Sequence, residues 1–219
     1  MITDAVDQAD GLRRLLAPPA TRVVALLGMA GGEGVTTCAM GIGAALALQG
    51  REVLQVDEHG TSTGASATRD RRTVETRRPG GIVLVDAALD PQGRLSPLAQ
   101  DADDVLVVLR PDLASITATY AGIKALHYGH GLRRMRFLVN AVAQQQAAGQ
   151  IIRNLGAASS RYLAVSLAPA GWVRADAHMD DARRLGRSVV EAFPTSPASL
   201  DLRRLAGELL RWPVRPRAA

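Results

Sequence analysis

VVALLGMAGGEGVTT, Val23 to Thr37, is the stretch from which the rest of the chain is read. Five apolar residues of strand type, Val23 to Leu27, run into a loop with glycines at 28, 31, 32 and 34, and a helix of small residues begins at about Thr36. That order lets backbone N–H groups converge on an anion at a helix N-terminus, which is how a phosphate-binding loop works. In such a loop a lysine reaches the β/γ-phosphates and the Ser or Thr after it holds Mg²⁺. Here Val35 stands before Thr36, so the glycines and threonines are present and the lysine is absent.

Composition narrows the alternatives. At 219 residues, with 47% hydrophobic and only 3% aromatic, the chain suits one compact α/β domain with a core of Ala, Leu and Val. Lys124 is the only lysine, so no other can stand in at the loop. The arginines that carry the net charge of +5 fall in small clusters rather than one run, which reads as a solvated face; binding to nucleic acid is not expected. A single cysteine, Cys38, excludes an internal disulfide and fits a reducing cytoplasm. Asp4, Asp7 and Asp10 are wrong for the basic start of a signal peptide, and Glu33 with its glycines interrupts the most apolar region before it reaches the length of a membrane span.

Along the chain, residues 3 to 16 read as a short amphipathic helix that Pro18 and Pro19 end, set apart from the 21–219 domain. A helix of about Thr37 to Gln49, apolar nearly all round, is expected to lie buried against a sheet. Strands follow at Val53 to Asp57 and Ile82 to Asp86, each apolar and each ending in an acid. The segment between them, 58 to 81, lacks apolar periodicity and is expected to be mostly mobile loop. After a helix at Leu95 to Gln100, strands are expected at Val105–Leu109, Phe137–Asn140 and Tyr162–Leu167. Helices at Leu113–His127 and Gln144–Leu155 separate them. A short helix around Asp176 to Leu185, an extended Ser188 to Ala192 and a last helix from Ser199 to Arg211 complete the reading. Doubly apolar strands alternating with helices imply a mostly parallel sheet flanked by helices on both faces, with ligands at the carboxyl ends of the strands.

Four stretches together resemble the MinD/ParA group of P-loop ATPases, and within it the FlhG (FleN) type. GMAGGEGVTT lies where that group has its KGGxGKT loop. Ala102 to Leu126 matches its strand and Pro-acidic-x-x-Ser helix, FLVNAV its adenine-contacting Asn (Asn140), and RSVVEAFPTSPAS its C-terminal region. A fifth stretch, Asp7-Gln8-Ala9-Asp10-Gly11-Leu12-Arg13, resembles the DQAxxLR motif by which FlhG proteins bind the signal-recognition-type GTPase FlhF and stimulate its GTP hydrolysis. The resemblance implies a regulator of flagellar number or placement, with Asp7, Gln8, Ala9, Leu12 and Arg13 acting on that GTPase. Flagellar basal-body or regulatory proteins are further implied partners.

The departures from the group are as informative. Its two loop lysines are Ala30 and Val35 here, its first loop glycine is Met29, and Glu33 adds an acid. Its DxD switch acid is missing, because Glu58 and His59 follow Asp57. Gly31, Gly32, Gly34, Thr36, Thr37, Asp57, Asp86 and Asn140 therefore form a vestigial nucleotide site. Thr36 and Asp86 are its only candidates for Mg²⁺, and Thr36 is more simply a helix cap. The expectation is a pseudo-ATPase whose ATP binding is weak or absent. His59 reads as incidental, and Leu202, Leu205, Ala206, Leu209 and Leu210 as the face of a core helix, so membrane binding is weak or none. A cytoplasmic protein is expected, recruited to membrane or pole only through its partner.

Overall fold

The computed structural model describes residues 21–59 and 80–213. The DQAxxLR stretch, the helix expected at 3–16 and nearly all of the 58–81 loop lie outside the described residues.

Six strands form one all-parallel sheet: β1 (Arg22–Leu27), β2 (Val53–Asp57), β3 (Ile82–Asp86), β4 (Asp104–Leu109), β5 (Arg134–Val142) and β6 (Ser166–Arg174). Their spatial order is β2-β3-β1-β4-β5-β6, so β1 sits centrally between β3 and β4. Every residue of Val23 to Leu27 is fully buried, as a strand covered on both faces requires.

Helices pack on both faces. On one side lie α2 (Pro97–Gln100), α3 (Leu113–His130) and α4 (Gln145–Leu163), whose Leu98, Ile123 and Leu155 meet the Val23, Val85 and Val107 side of the sheet. On the other lie α1 (Val35–Leu48), α5 (His178–Arg184), α6 (Val189–Ala192) and α7 (Pro197–Leu209), packed on Val24, Leu84 and Leu106. The expected apolar face of the last helix is in the core: Leu202, Leu205, Ala206 and Leu209 are all buried.

Several boundaries differ from the sequence reading, among them the start of β5 at Arg134 rather than Phe137 and of α7 at Pro197 rather than Ser199. Tyr162 and Leu163 end α4 instead of starting a strand, because Leu155, Ser159 and Leu163 recur every fourth residue on its buried face. The last strand therefore starts at Ser166 and carries Trp172 and Arg174. Ser188 to Ala192 is not extended: Ser188 caps the Val190 N–H while Glu191 accepts from the Ser188 N–H, a capping box that opens α6. α1 begins at Val35, two residues before its expected start.

At the end of the sheet opposite the glycine loop, Asp104 is shared by Arg22 (2.5 Å) and Arg136 (3.0 Å). Arg22 also donates to the carbonyls of Leu209 and Trp212, at 3.1 and 3.0 Å. The Trp212 ring lies 4.1 Å from the Arg136 guanidinium, so α7 is fastened to the starts of β1, β4 and β5.

Candidate functional site

The carboxyl ends of β1, β2, β3 and β5 bring the glycine loop, Asp57, Asp86 and Asn140 to one edge of the sheet. The loop keeps the backbone of a phosphate cradle. Gly31, Gly32 and Gly34 have φ of 77°, 77° and 83°, a region L side chains rarely occupy, and Gly34 is the N-cap of α1. That cap has no side-chain hydrogen bond, and Thr36 is already the second helical residue, so Thr36 is not the cap the sequence reading made it. The Cys38 N–H is the first in α1 to find a helical carbonyl, that of Gly34. The helix entrance thus retains the donor arrangement that favours an anion.

Side chains tell a different story. Ala30 is exposed and Val35 lies against Gly28, so neither lysine position carries charge. Met29 leaves the loop toward α3 and rests on Gly122. Glu33 turns inward and is 1% exposed; its Oε1 accepts from the N–H groups of Ala30 at 2.5 Å and Met29 at 3.2 Å, with Ser115 Oγ 3.5 Å away. Asn140 Nδ2 donates to the Glu33 carbonyl at 2.8 Å, and a side chain at Gly34 would strike it at 2.5 Å. Asn140 therefore braces the loop with its amide nitrogen.

Asp86 is the group this edge leaves unsatisfied. It is 4% exposed and neither carboxylate oxygen receives a well-formed hydrogen bond, its near neighbours being the Thr36 hydroxyl and, at 3.5 Å, His59 Nε2. Burial pushes its carboxyl above the usual range and Asp57, its neighbour in register, adds to that; Thr36 and His59 oppose without overcoming it. His59 is not incidental: its N–H donates to Asp57 Oδ1 at 2.8 Å, and its Nε2 stands 3.5 Å from Asp86 Oδ1. Glu58 is equally placed, accepting from the Ala88 N–H at 3.2 Å and from the Ser96 hydroxyl. The two residues that open the expected loop are thus held on the sheet. Behind them, burial with a contribution from Asp86 raises the Cys38 thiol to about 12, as befits an inert core sulfur.

A Mg²⁺–nucleoside triphosphate would meet these groups on a metal side and a phosphate side. A buried carboxylate beside a threonine hydroxyl suits a divalent cation, although His59 already stands 3.5 Å from it. The phosphate side does not suit its charge: both lysine positions are aliphatic and a carboxylate with no Lys or Arg partner lies under the loop. Among the described residues no cluster of three or more His, Cys, Asp or Glu is arranged to hold a metal, and no helix is long and apolar enough to cross a membrane.

Sheet order, central loop and strand-end acids define the class: this is the P-loop fold of the MinD/ParA-type ATPases. Solved structures agree. The chain is similar to the MinD cell division protein of Aquifex aeolicus, with a TM-score of 0.66 at 18% identity over 90% of this chain and 100% of that one. It is similar to the Mg-ADP complex of the septum site-determining protein MinD of Pyrococcus horikoshii, with a TM-score of 0.64 at 15% identity over 86% and 96%. A ParA family ATPase of Chlorobium tepidum gives a TM-score of 0.64 at 15% identity over 87% and 99%. Within that class, the sequence is similar to the antiactivator FleN of Pseudomonas aeruginosa, 32% identical over 133 residues. That match spans 61% of this chain and 48% of the relative, about half its length. No family model matches the chain. The resemblance read from the sequence, to the MinD/ParA group and within it to FlhG (FleN), is thus met in both fold and sequence.

Sequence reasoning missed Glu33's inward turn, Met29's seat on Gly122, Ser115 as a node beneath the loop and His59's place over Asp86. Only Ser115 had a local signal. It lies three residues after Asp112, which caps its N–H at 2.8 Å.

Proposed function

We propose that this chain is an FlhG-like regulator of flagellar number or placement that binds an FlhF-type signal-recognition GTPase and stimulates its GTP hydrolysis, while hydrolysing no ATP itself. The observation that carries the reading is the likeness to the antiactivator FleN. Beside it stand the DQAxxLR stretch at residues 7 to 13 and the aliphatic Ala30 and Val35 in the loop.

Each residue of the motif has a chemical task in such a complex. Gln8 orients the attacking water in the partner's site, as a glutamine does in other GTPases. Leu12 anchors the apolar side of the segment, and Arg13 pairs with an acid or a phosphate. Asp7 and Ala9 complete the recognition surface. Loss of the loop's charged contacts, each worth roughly 1.5 to 3 kcal/mol, removes most of the affinity for ATP. The protein is then a cytoplasmic activator, brought to membrane or pole by its partner.

GTP turnover by the FlhF-type GTPase, measured with wild type and with Gln8→Ala, tests this. Stimulation by wild type that the variant lacks is expected, and equal rates from the two would sink it. A second reading, a switch that binds ATP weakly, is favoured by the buried Asp86 beside Thr36 at an open helix entrance. Titration calorimetry with Mg²⁺–ATP tests this second reading, since it requires heat of binding and no heat at millimolar nucleotide would end it.

A further inference from the structure

We propose that the Glu33 carboxylate is the loop's own resident ligand, holding the loop and the start of α3 in one arrangement without a nucleotide. The inference rests on the reading of this loop as one that has given up triphosphate.

Burying a carboxylate is costly unless hydrogen bonds replace the lost water. Glu33 is 1% exposed, its partners include no lysine or arginine, and what replaces water is the loop itself. Backbone N–H groups converging from consecutive residues are the donors that anion-binding loops offer to an external ligand. Here Met29 and Ala30 offer theirs to an anion on the same chain, four and three residues further on. The fit is close, since a methyl group on Gly28 would come within 2.8 Å of Glu33 Oε2.

The same residue reaches two other segments. Ser115 Oγ, at the first turn of α3, faces the Glu33 carboxylate and accepts the Arg110 N–H at 2.9 Å, which ties in the end of β4. The Glu33 carbonyl receives Asn140 from β5. Loop, β4–α3 junction and β5 terminus thus meet on one side chain and its peptide. A ligand shifts an equilibrium only by its differential affinity for the two states. A loop already closed on its own carboxylate leaves a nucleotide nothing to close.

Amide hydrogen exchange with mass spectrometry on wild type, Glu33→Ala and Glu33→Gln tests this. The Val105–Leu109 amides report whether the core stands. Without nucleotide, Glu33→Ala should speed exchange at Met29 and Ala30 about tenfold or more, the worth of a charge-assisted hydrogen bond. Glu33→Gln, which keeps a carbonyl acceptor, should fall between the two. If the Ala variant does not fold, the Gln variant decides alone: exchange equal to wild type overturns the proposal and faster exchange supports it. Unchanged loop exchange in a folded Glu33→Ala overturns it equally. Millimolar Mg²⁺–ATP is added to wild type as a separate arm. Slower loop exchange there would remove the no-nucleotide reading, while the unliganded comparison of variants would still judge Glu33.

Discussion

Met29 and Gly122 offer a quantitative check on how the loop is anchored. A methyl group built on Gly122 would lie 2.6 Å from Met29 Cγ and 3.0 Å from Cε, and would overlap the sulfur between them. In an unobstructed helix Gly→Ala stabilises by about 0.8 to 1 kcal/mol. At this position the methyl enters occupied space, and overpacking of that kind costs about 1 to 3 kcal/mol. Methionine is adaptable at its far end, but Cγ is one bond from Cβ and moves only if χ1 changes. Gly122→Ala alone should therefore destabilise by about 1 kcal/mol. Introduced after Met29→Ala, the same change should stabilise by about 1 kcal/mol, since only the helix preference remains. The coupling of about 2 kcal/mol is measured by a double-mutant cycle from urea unfolding at constant m-value. If Gly122→Ala stabilises the wild-type background as much as the Met29→Ala background, Met29 does not sit on Gly122 and the anchoring argument fails.

Asp86→Asn should raise stability by on the order of 1 kcal/mol at pH 7, because burial of the carboxylate outweighs what Thr36 and His59 return to it and the replacement is neutral. The sign with pH follows from its raised carboxyl: the folded state is penalised above that value, and the gap between variant and wild type should close as pH falls toward 4. Thermal unfolding across pH 4 to 8 reads both. Asp104→Asn should cost about 2 to 4 kcal/mol in urea unfolding, since it strands Arg22 and Arg136 with side chains only 10% and 17% exposed. Cys38, buried and raised to about 12, should resist a maleimide at pH 8 in the native protein and react only at the rate of unfolding.

How much of this was legible in the sequence depends on which interactions are local. The apolar runs ending in Asp57 and Asp86 had to be buried parallel strands, and the glycine pattern of 31, 32 and 34 had to make a tight strand-to-helix turn; both are seen. The missing lysines were equally plain, because an absence needs no tertiary information. Glu33 was read only as an acid near a cradle. Whether it faced out or in depended on Ser115, 82 residues away, and on loop amides whose direction no residue pattern reports. His59 owes its position to Asp86 on the adjacent strand. The α4–β6 boundary failed for a simpler reason: Tyr162-Leu163-Ala164-Val165 suits either element, and only the fourfold spacing back to Leu155 settles it.

The Arg22–Asp104–Arg136 cluster with Trp212 has a consequence for anything fused to this domain. Because Arg22 donates to the Trp212 carbonyl, the chain enters the sheet and leaves the last helix side by side. Both points lie a full strand, about 20 Å, from the glycine loop. Whatever is joined before Thr21 and after Pro213 starts from a common root on the far rim. A reporter protein joined after Pro213 would therefore crowd whatever is joined before Thr21, and both would start from the rim opposite the glycine loop.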